Sequence, residues 1–341
     1  MTRNQTGRRA VAGGIAAALL FVAGDAAAAI KRTVCVFDIV GQHGDVFNMM
    51  RDYKLAALQW GVEIELKPYT DEKIAAEDLK AGQCDAALIT GIRGRLFNTY
   101  TGSLDSIGSL PDYEAVRLAH QAMASPKLAE KMKSGPYEII GIAPMGAAFL
   151  FVNDRRINNV GALSGKRITV LDYDKAQAKM VQKVGASPIA SDVTNFAGKF
   201  NNKSADICAA PAAAYKALEL YKGMIPNGGV VRYPLAQITL QMVSRGDRFA
   251  VAPGFTQKSR EWFFGQFDRT LAIITKAEKE IEAKYWIDVP AADKPKYDEM
   301  MRQSRIALRD EGIYNRETLE LLRKVRCKRD GSRAECTEKV E

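Results

Sequence analysis

The sequence predicts an α/β fold with two lobes, parallel-dominated mixed sheets and a helical C-terminal region. Short β-rich runs alternate with helical patterns at residues 33–90, and again at residues 163–211. Alternation of this kind is typical of strand–helix–strand units in a parallel sheet. After Pro253 the pattern is helical nearly to the end of the chain. We therefore expect two lobes that close around a small molecule, with the C-terminal helices packed across both.

The first lobe is predicted from a β–α–β–α–β series. Its elements, in chain order, are a strand at 33–38, a helix at 46–61, a strand at 62–67, a helix at 71–80 with Thr70 as a possible N-cap, and a strand at 86–90. Loops at 38–45 and 90–95 follow the first and third strands. Because ligands of open α/β sheets bind beyond the carboxyl ends of the strands, we expect both loops to contact the ligand.

Two crossings between the lobes set the predicted domain boundaries. Residues 137–152 hold two apolar runs broken by Pro144-Met145-Gly146, which we take as the passage into lobe 2. A strand at 235–244 could return the chain to lobe 1. The predicted domains are a signal peptide at 1–29, lobe 1 at 30–143 plus about 235–255, lobe 2 at 144–234, and a helical region at 256–341. The helices expected in that last region are at 261–284, 294–308 and 316–325.

The N-terminus predicts export. Three arginines precede an apolar run at residues 10–24, and small residues then offer a cleavage site near Ala29. The apolar run is too short and too rich in alanine and glycine for a transmembrane helix, which needs about 20 apolar residues. We therefore expect a periplasmic protein whose signal peptide is removed.

The composition indicates a globular protein, and its basic excess does not indicate a nucleic-acid partner. Lysine and arginine number 49 against 40 aspartates and glutamates, which gives a formal net charge of +9. Apart from a cluster at residues 323–333, the basic residues are spread along the chain, and no basic–aromatic motif is present. We expect a solvated basic surface and a monomer.

The five cysteines suggest two disulfides, which an exported chain can form. Cys35 lies in the first predicted strand and Cys84 just before another, so they can be bridged if those strands are neighbours. Cys327 and Cys336 lie nine positions apart in a polar tail and suit a local bridge. Cys208 is then left as a buried thiol. The spacings match no zinc pattern, and we expect no metal site.

The loop after the first strand is the most enzyme-like feature. Gly41-Gln42-His43-Gly44 follows a strand and precedes a helix, so helix N-terminal amides could bind an anion there. The same glycines could instead serve only the turn. Their spacing is neither a dinucleotide fingerprint nor a phosphate loop, because no Lys-Ser/Thr pair follows.

Other candidates follow strand ends or lie at the passage between the lobes. Arg93 could pair with a ligand carboxylate or phosphate, or form a surface salt bridge. Asp172-Tyr173-Asp174 follows a strand, where its side chains could contact a ligand or cap a helix. The candidate ligand-binding residues are Asp38, Gln42, His43, Thr90, Arg93, Met145, Asp172, Tyr173 and Ala210.

The sequence does not indicate an enzyme. It has no Gly-x-Ser-x-Gly elbow, and Cys35 lies inside a predicted strand, eight positions from His43. A hydrolase would need Asp172 or Asp174 to meet His43 in one pocket. We therefore expect no catalytic residue and no cofactor.

Three motifs follow one another in the second lobe: Leu-Ser-Gly-Lys-Arg-Ile-Thr-Val at 163–170, Gly-Ala-Ser-Pro at 185–188, and Ala-Asp-Ile at 205–207. Their order resembles the type II periplasmic solute-binding proteins, and most of all the TRAP-transporter, DctP-like family. That family typically shows Leu-x-Gly-x-Lys-Ile-Arg-Val, whose arginine clamps a ligand carboxylate. Aligning Ile168 with the family's isoleucine puts Thr169 in place of this arginine.

The resemblance implies a periplasmic-binding-protein type II fold and a solute-binding function. The protein would capture a small ligand, an organic acid or a lipid-like molecule, and deliver it to an inner-membrane transporter. The chain also resembles a branch of exported binding proteins associated with RND-type efflux transporters. The alternative is therefore an accessory or carrier protein of such a transporter that handles a hydrophobic ligand. An apolar cleft around Met145 and Phe149, with Arg93 facing outward, would favour that alternative.

Overall fold

The computed structural model describes residues 1–2 and 29–341 of the chain. Most of the predicted signal peptide at 1–29 therefore lies outside the described residues. Within the described residues, none of the helices is both long enough and apolar enough to cross a bilayer.

Within these residues, ten strands form one mixed sheet that runs through both lobes. The strands are β1 (Ile30–Phe37), β2 (Val62–Tyr69), β3 (Ala86–Thr90), β4 (Lys133–Ser134), β5 (Tyr137–Val152), β6 (Arg167–Leu171), β7 (Ser187–Ser191), β8 (Ile207–Pro211), β9 (Gly229–Arg245) and β10 (Trp286–Ile287). Their order is β2-β1-β3-β9-β5-β8-β6-β7, with β10 beside β9 and β4 beside β5. β1 is parallel to β2 and β3, and β6 is parallel to β7 and β8. The predicted α/β class is confirmed.

Helices cover both faces of this sheet. They are α1 (Asp45–Gln59), α2 (Glu72–Ala81), α3 (Gly91–Gly94), α4 (Thr99–Gly102), α5 (Tyr113–Ala124), α6 (Lys175–Lys183), α7 (Phe196–Asn201), α8 (Ala214–Ala217), α9 (Tyr221–Met224), α10 (Gly246–Phe249), α11 (Phe255–Gly265), α12 (Phe267–Lys279), α13 (Lys294–Asp310), α14 (Arg316–Arg329) and α15 (Ala334–Glu338). In lobe 1, α2, α5 and α14 pack on one face of the sheet, and α1 and α11 on the other. In lobe 2, Tyr297 and Met301 of α13 belong to the same buried apolar cluster as residues of β6 and β8, and the Tyr297 ring stacks on Tyr233 of β9. The C-terminal helices therefore contact both lobes.

β5 and β9 are long antiparallel neighbours, and both continue from one lobe into the other. They have 16 and 17 residues. β9 lies against β3 in lobe 1, whereas β5 lies against β8 in lobe 2. Their pairing register shifts between Pro144 and Gly146, where Gly146 has a φ of 109° that side-chain-bearing residues rarely adopt. The predicted break at 144–146 is thus a bulge inside a continuous strand, and the residue boundaries of the lobes stay a prediction.

The predicted helix at 261–284 is wrong, because two helices, α11 and α12, occupy this region and meet at Gln266. Phe263 and Phe267 would share one face of a continuous helix. In the structure Phe263 packs with Ile140 on one face of the sheet, and Phe267 packs with Ile142 on the opposite face. The break lets these two aromatic rings reach separate cores.

Two smaller expectations in lobe 1 also change. The N-cap of α2 is Asp71 rather than Thr70, because the Asp71 carboxylate accepts the amide hydrogen of Lys73 at 2.8 Å. The segment after Thr90, expected as a loop, forms the short helix α3. The Thr90 hydroxyl caps this helix by accepting the Arg93 amide hydrogen at 3.3 Å.

Both expected disulfides are present. Cys35 and Cys84 have Cα atoms 5.9 Å apart, and β1 and β3 are neighbours, as that pairing required. Cys327 and Cys336 have Cα atoms 5.6 Å apart. Cys208 is free and buried.

Candidate functional site

A cavity of about 170 Å³ lies between the lobes, beside the place where β5 and β9 pass from one lobe into the other. Lobe 1 contributes Phe37 and Thr90 from the carboxyl ends of β1 and β3, and lobe 2 contributes Leu171 and Pro211 from the carboxyl ends of β6 and β8. Most of the lining side chains are apolar. An engineered apolar cavity of about 150 Å³ holds one benzene molecule, so this first cavity has room for a ligand of about one ring.

A second cavity of about 280 Å³ adjoins the first. The two cavities share Phe37, Ile39, Met145 and Ala213, so together they form one cleft. The second cavity also contacts His43 on the loop before α1. A ligand larger than one ring therefore has space to extend towards this loop.

Asp38 caps the helix that the glycine loop precedes. One oxygen of its buried carboxylate accepts the amide hydrogens of Val46 at 3.0 Å and Phe47 at 3.2 Å, and the other accepts that of Val40 at 3.0 Å. A Cβ atom at Gly44 would lie 1.9 Å from this carboxylate, which explains a glycine at that position. The helix N-terminus therefore already holds an anion of the protein itself.

Glu72 joins the two lobes through a buried cluster. It accepts hydrogen bonds from the Thr90 amide at 3.2 Å, from the Thr90 hydroxyl at 2.8 Å, and from the Tyr173 hydroxyl of lobe 2. Nε of Arg93 lies 3.2 Å from the Glu72 carboxylate. Burial and the nearby Glu72 carboxylate raise the pKa of Tyr173, so its hydroxyl remains a donor at neutral pH.

A second contact between the lobes is the ion pair of Arg95 with Asp174. The atoms are 3.1 Å apart, and the side chains are 10% and 8% exposed. Asp174 also caps α6 by accepting the Ala176 amide hydrogen at 3.1 Å. Arg95 further donates to the Gly102 carbonyl at 3.1 Å and lies over the Tyr314 ring. Because both charges are nearly buried, each depends on the other for compensation.

Asp105 is buried and places a second carboxyl group, besides that of Asp174, at the first cavity. Its carboxylate accepts the Thr239 hydroxyl at 2.7 Å and the Thr239 amide hydrogen at 3.2 Å. Burial raises the pKa of this carboxyl to about 7, although the Thr239 hydrogen bonds and the charge of Arg95 act in the opposite direction. Sequence reasoning missed Asp105, because only the tertiary fold brings it to β9.

A family model described as "Solute-binding protein AdeT 1/2" matches residues 54–341. The probable solute-binding protein AdeT1 of Acinetobacter baumannii is 48% identical over 301 residues, which cover 88% of this chain and 98% of that protein. The chain belongs to the AdeT1/2 family of solute-binding proteins. The probable solute-binding protein AdeT2 of the same organism is 28% identical over 235 residues, covering 69% of this chain and 98% of that protein.

The fold is similar to that of TRAP periplasmic solute-binding proteins. The protein from Desulfovibrio salexigens, with bound orotic acid, superposes with a TM-score of 0.74 at 16% identity, covering 87% of this chain and 99% of that one. The protein from Haemophilus influenzae RdAW, with bound L-gulonate, gives 0.73 at 10% identity, with the same coverage. The expected two-lobed fold is confirmed.

These comparisons give no support to an accessory role beside an RND-type transporter. The arrangement expected for that alternative is also only partly met. Met145 does line the apolar cleft, but the Phe149 ring packs edge-on against Trp286 at 5.2 Å. Arg93 is buried against Glu72 and does not face outward.

The candidate ligand-binding residues of this AdeT1/2 family member fall into three groups, according to the cavity that they line. Thr90, Met145, Tyr173 and Ala210 line the first cavity. Asp38, His43 and again Met145 line the second. Within residues 1–2 and 29–341, Gln42, Arg93 and Asp172 line neither cavity. A ligand contact by any of these residues stays a prediction.

Two further residues, Thr169 and His120, are also buried near these elements. Thr169, at the place where the TRAP-type motif has its arginine, is buried and lines the first cavity. His120 is buried in α5 with its ring edge-on to Phe267, with 5.7 Å between the ring centroids. In the described parts of the chain, no cluster of three His, Cys, Asp or Glu side chains is placed to hold a metal ion.

Proposed function

We propose that this protein captures a small organic molecule between its two lobes in the periplasm and delivers it to a transporter of the inner membrane. The observation that carries this proposal is the first cavity. Both lobes contribute to its walls, at the place where β5 and β9 pass from one lobe into the other. A ligand in this cavity contacts both lobes at once. Its binding energy therefore favours the closed arrangement, which the transporter would recognise.

Side-chain contacts between the lobes supply part of the free energy that favours the closed arrangement. Tyr173 with Glu72, and Arg95 with Asp174, join the lobes through protein groups alone. A ligand then has to supply only the remaining part of the closure free energy. This division favours reversible capture, because release to a transporter requires the lobes to separate again.

The proposal includes export, cleavage near Ala29, a monomeric state and the absence of catalysis. The placement of the acidic candidates and the histidine supports this last point. Asp174 lines the first cavity and is paired with Arg95, whereas His43 lines the second cavity. Asp172 is exposed. A carboxylate–imidazole pair with a shared substrate position is therefore not favoured.

Native mass spectrometry of the protein purified from its own periplasm tests capture and export together. We expect the mass of one chain beginning at Ile30, plus a small organic molecule that is lost on collisional activation. A mature chain that carries no adduct, and whose radius of gyration does not change with any of a panel of organic acids, amines and lipids, would contradict the proposal.

A blocked cleft provides the matched variant for this test. Ala213 lines both cavities and is exposed, so Ala213→Trp fills the cleft without overpacking the core. We expect this variant to be purified without the adduct. Ala283→Trp, at an exposed alanine outside the cleft, is the control and is expected to keep the adduct.

A further inference from the structure

We propose that the cleft selects an apolar molecule that carries a protonated amine, and that Asp105 binds the amine. This inference rests on the proposed function and narrows its ligand. The organic acids bound by the structural neighbours are anions, so the inference separates this protein from them in ligand charge.

The walls of the first cavity fit an apolar body. Aliphatic side chains from both lobes face it, among them Ile92, Ile107, Met180 and Leu235. Ile238 of β9 adds a further apolar contact. A ligand is therefore held here mainly by removal of its apolar surface from water.

The charges at this cavity favour a cation over an anion. Two carboxylates, Asp105 and Asp174, line it, and within residues 1–2 and 29–341 no lysine, arginine or histidine does. Arg95 is the cation that pairs with Asp174, and its guanidinium also donates to the Gly102 carbonyl. One carboxylate, Asp105, is left with only uncharged hydrogen-bond donors.

Each oxygen of the Asp105 carboxylate can accept one further hydrogen bond. Each carboxylate oxygen accepts one hydrogen bond from Thr239, and a carboxylate oxygen can accept two. The charge of Arg95 acts on Asp105 without a hydrogen bond to it, whereas a protonated amine compensates this buried carboxylate by direct contact and donates up to three hydrogen bonds. A ligand carboxylate would instead place a second negative charge in the same apolar cavity.

The second cavity does not change this charge balance. Its arginine, Arg269, is half exposed and donates to Asp52 at 2.5 Å. The helix N-terminus beside this cavity is capped by Asp38. An anionic group placed here would have to compete with these protein carboxylates for the arginine and for the helix N-terminus.

Three probes of one size and different charge test the inference: 2-phenylethylamine, 2-phenylethanol and phenylacetate. Each has a single ring, which suits the cavity of about 170 Å³. Binding to the dialysed mature protein is measured by isothermal titration calorimetry at pH 8, where the amine is protonated. We expect the amine to bind at least tenfold more tightly than the alcohol, and phenylacetate to bind weakest.

Asp105→Asn assigns the effect to one residue. The asparagine oxygen can still accept from Thr239, so the local fold is expected to persist, and a melting curve checks this. The variant should bind the amine at least tenfold more weakly than the unmodified protein, at about the affinity for the alcohol. Asp288→Asn, at an aspartate that is 83% exposed, removes one negative charge outside the cleft and should leave amine binding unchanged.

Three outcomes would overturn the inference without touching the proposed function. Phenylacetate could bind most tightly, or the amine could keep its advantage in Asp105→Asn. The third is that none of the three probes binds. None of these outcomes would contradict the proposed function. Whether the protein captures some other small molecule is tested separately, by native mass spectrometry of the protein purified from the periplasm.

Discussion

The guanidinium of Arg93 lies against the ring of Tyr173, with 3.7 Å between Cζ and the ring centroid. Arg93 precedes the crossing into lobe 2 and Tyr173 follows it, so this contact exists only while the lobes are together. The Tyr173 hydroxyl donates to Glu72, which also pairs with Arg93. The side chains of the protein therefore stabilise the closed arrangement before a ligand contributes.

Tyr173→Phe tests this stabilisation, because it removes the hydroxyl and keeps the ring over Arg93. Loss of a hydrogen bond to a carboxylate is expected to cost about 1–2 kcal/mol, which corresponds to a roughly five- to thirtyfold rise in the dissociation constant of the periplasmic ligand. Calorimetry measures this rise. Small-angle scattering should also show a larger radius of gyration without ligand.

The control for that variant is Tyr221→Phe. The Tyr221 hydroxyl donates to Glu219 at 3.3 Å on the surface of lobe 2 and does not join the lobes. This variant is expected to keep the affinity and the radius of gyration of the unmodified protein. If both variants behaved alike, the contact of Tyr173 with Glu72 would have no part in closure.

The ion pair of Arg95 with Asp174 is expected to couple the lobes by about 1–3 kcal/mol. Arg95→Met and Asp174→Asn, made singly and together, give this coupling from free energies of unfolding in urea. Each single variant should cost about 3 kcal/mol or more, because one nearly buried charge is left unpaired. The same cycle on Arg156 and Asp154 is the control, since Arg156 is 90% exposed and solvent screening is expected to leave a clearly smaller coupling there. Equal couplings in the two cycles would contradict this.

The Asp105 carboxyl predicts a pH dependence of stability. Its pKa is about 7 in the folded protein, above about 3.9 in the unfolded chain. The folded state therefore holds this proton more tightly, and the stability that it contributes is present below pH ~4 and is lost as the pH rises through about 7. We compare the free energy of unfolding of Asp105→Asn with that of the unmodified protein at each pH. From pH 5 to pH 8, this difference should shift by about 2–3 kcal/mol in favour of the variant.

Denaturant titrations of both proteins at the two pH values measure this gain. Asp206→Asn is the control with the opposite shift, because hydrogen bonds from Arg167 lower the pKa of Asp206 to about 2. Its contribution is lost only as the pH falls through about 2, so its difference from the unmodified protein should be constant between pH 5 and pH 8. A constant difference for Asp105→Asn as well would show that Asp105 is ionised throughout this range.

Removal of the two disulfides should have unequal costs. The Cys35–Cys84 bridge closes a loop of 49 positions and the Cys327–Cys336 bridge one of 9, so loop entropy predicts losses of about 4 and about 2.7 kcal/mol. Paired changes to alanine, followed by denaturation in urea, measure both losses. Cys208→Ala, at a buried thiol without a bridge, controls for the lost side-chain volume. A larger loss at the C-terminal bridge would contradict the expectation.

The fold could be predicted well because its signals are local. Strand–helix alternation is present in short segments of the chain, and the pairing of Cys35 with Cys84 required only that two predicted strands be neighbours. The break at Gln266 could not be predicted, because the helical pattern continues through it. Its cause is the packing of Phe263 and Phe267 on opposite faces of a sheet made from distant segments.

The site could be predicted only in outline. Strand ends pointed to Thr90, Tyr173 and Ala210, which do line the cavity. Arg93 was expected there because an arginine at a strand end suits an anion, yet a buried glutamate 21 positions earlier pairs with it. Asp105 was missed because a single aspartate between α4 and α5 carries no pattern. Charge pairing between distant segments thus decided which polar groups face the ligand.

β5 and β9 are hydrogen-bonded to each other on both sides of their bulges, so the lobes are joined by a two-stranded ribbon rather than by two independent tethers. A ribbon can bend and twist, but sliding one strand past the other would break its ladder of hydrogen bonds. We therefore expect opening to be a rotation about this ribbon, whose register shifts include the one at Gly146, rather than a translation of the lobes past each other. A rotation of this kind would return the half-sites of the two lobes to the same alignment at each closing movement.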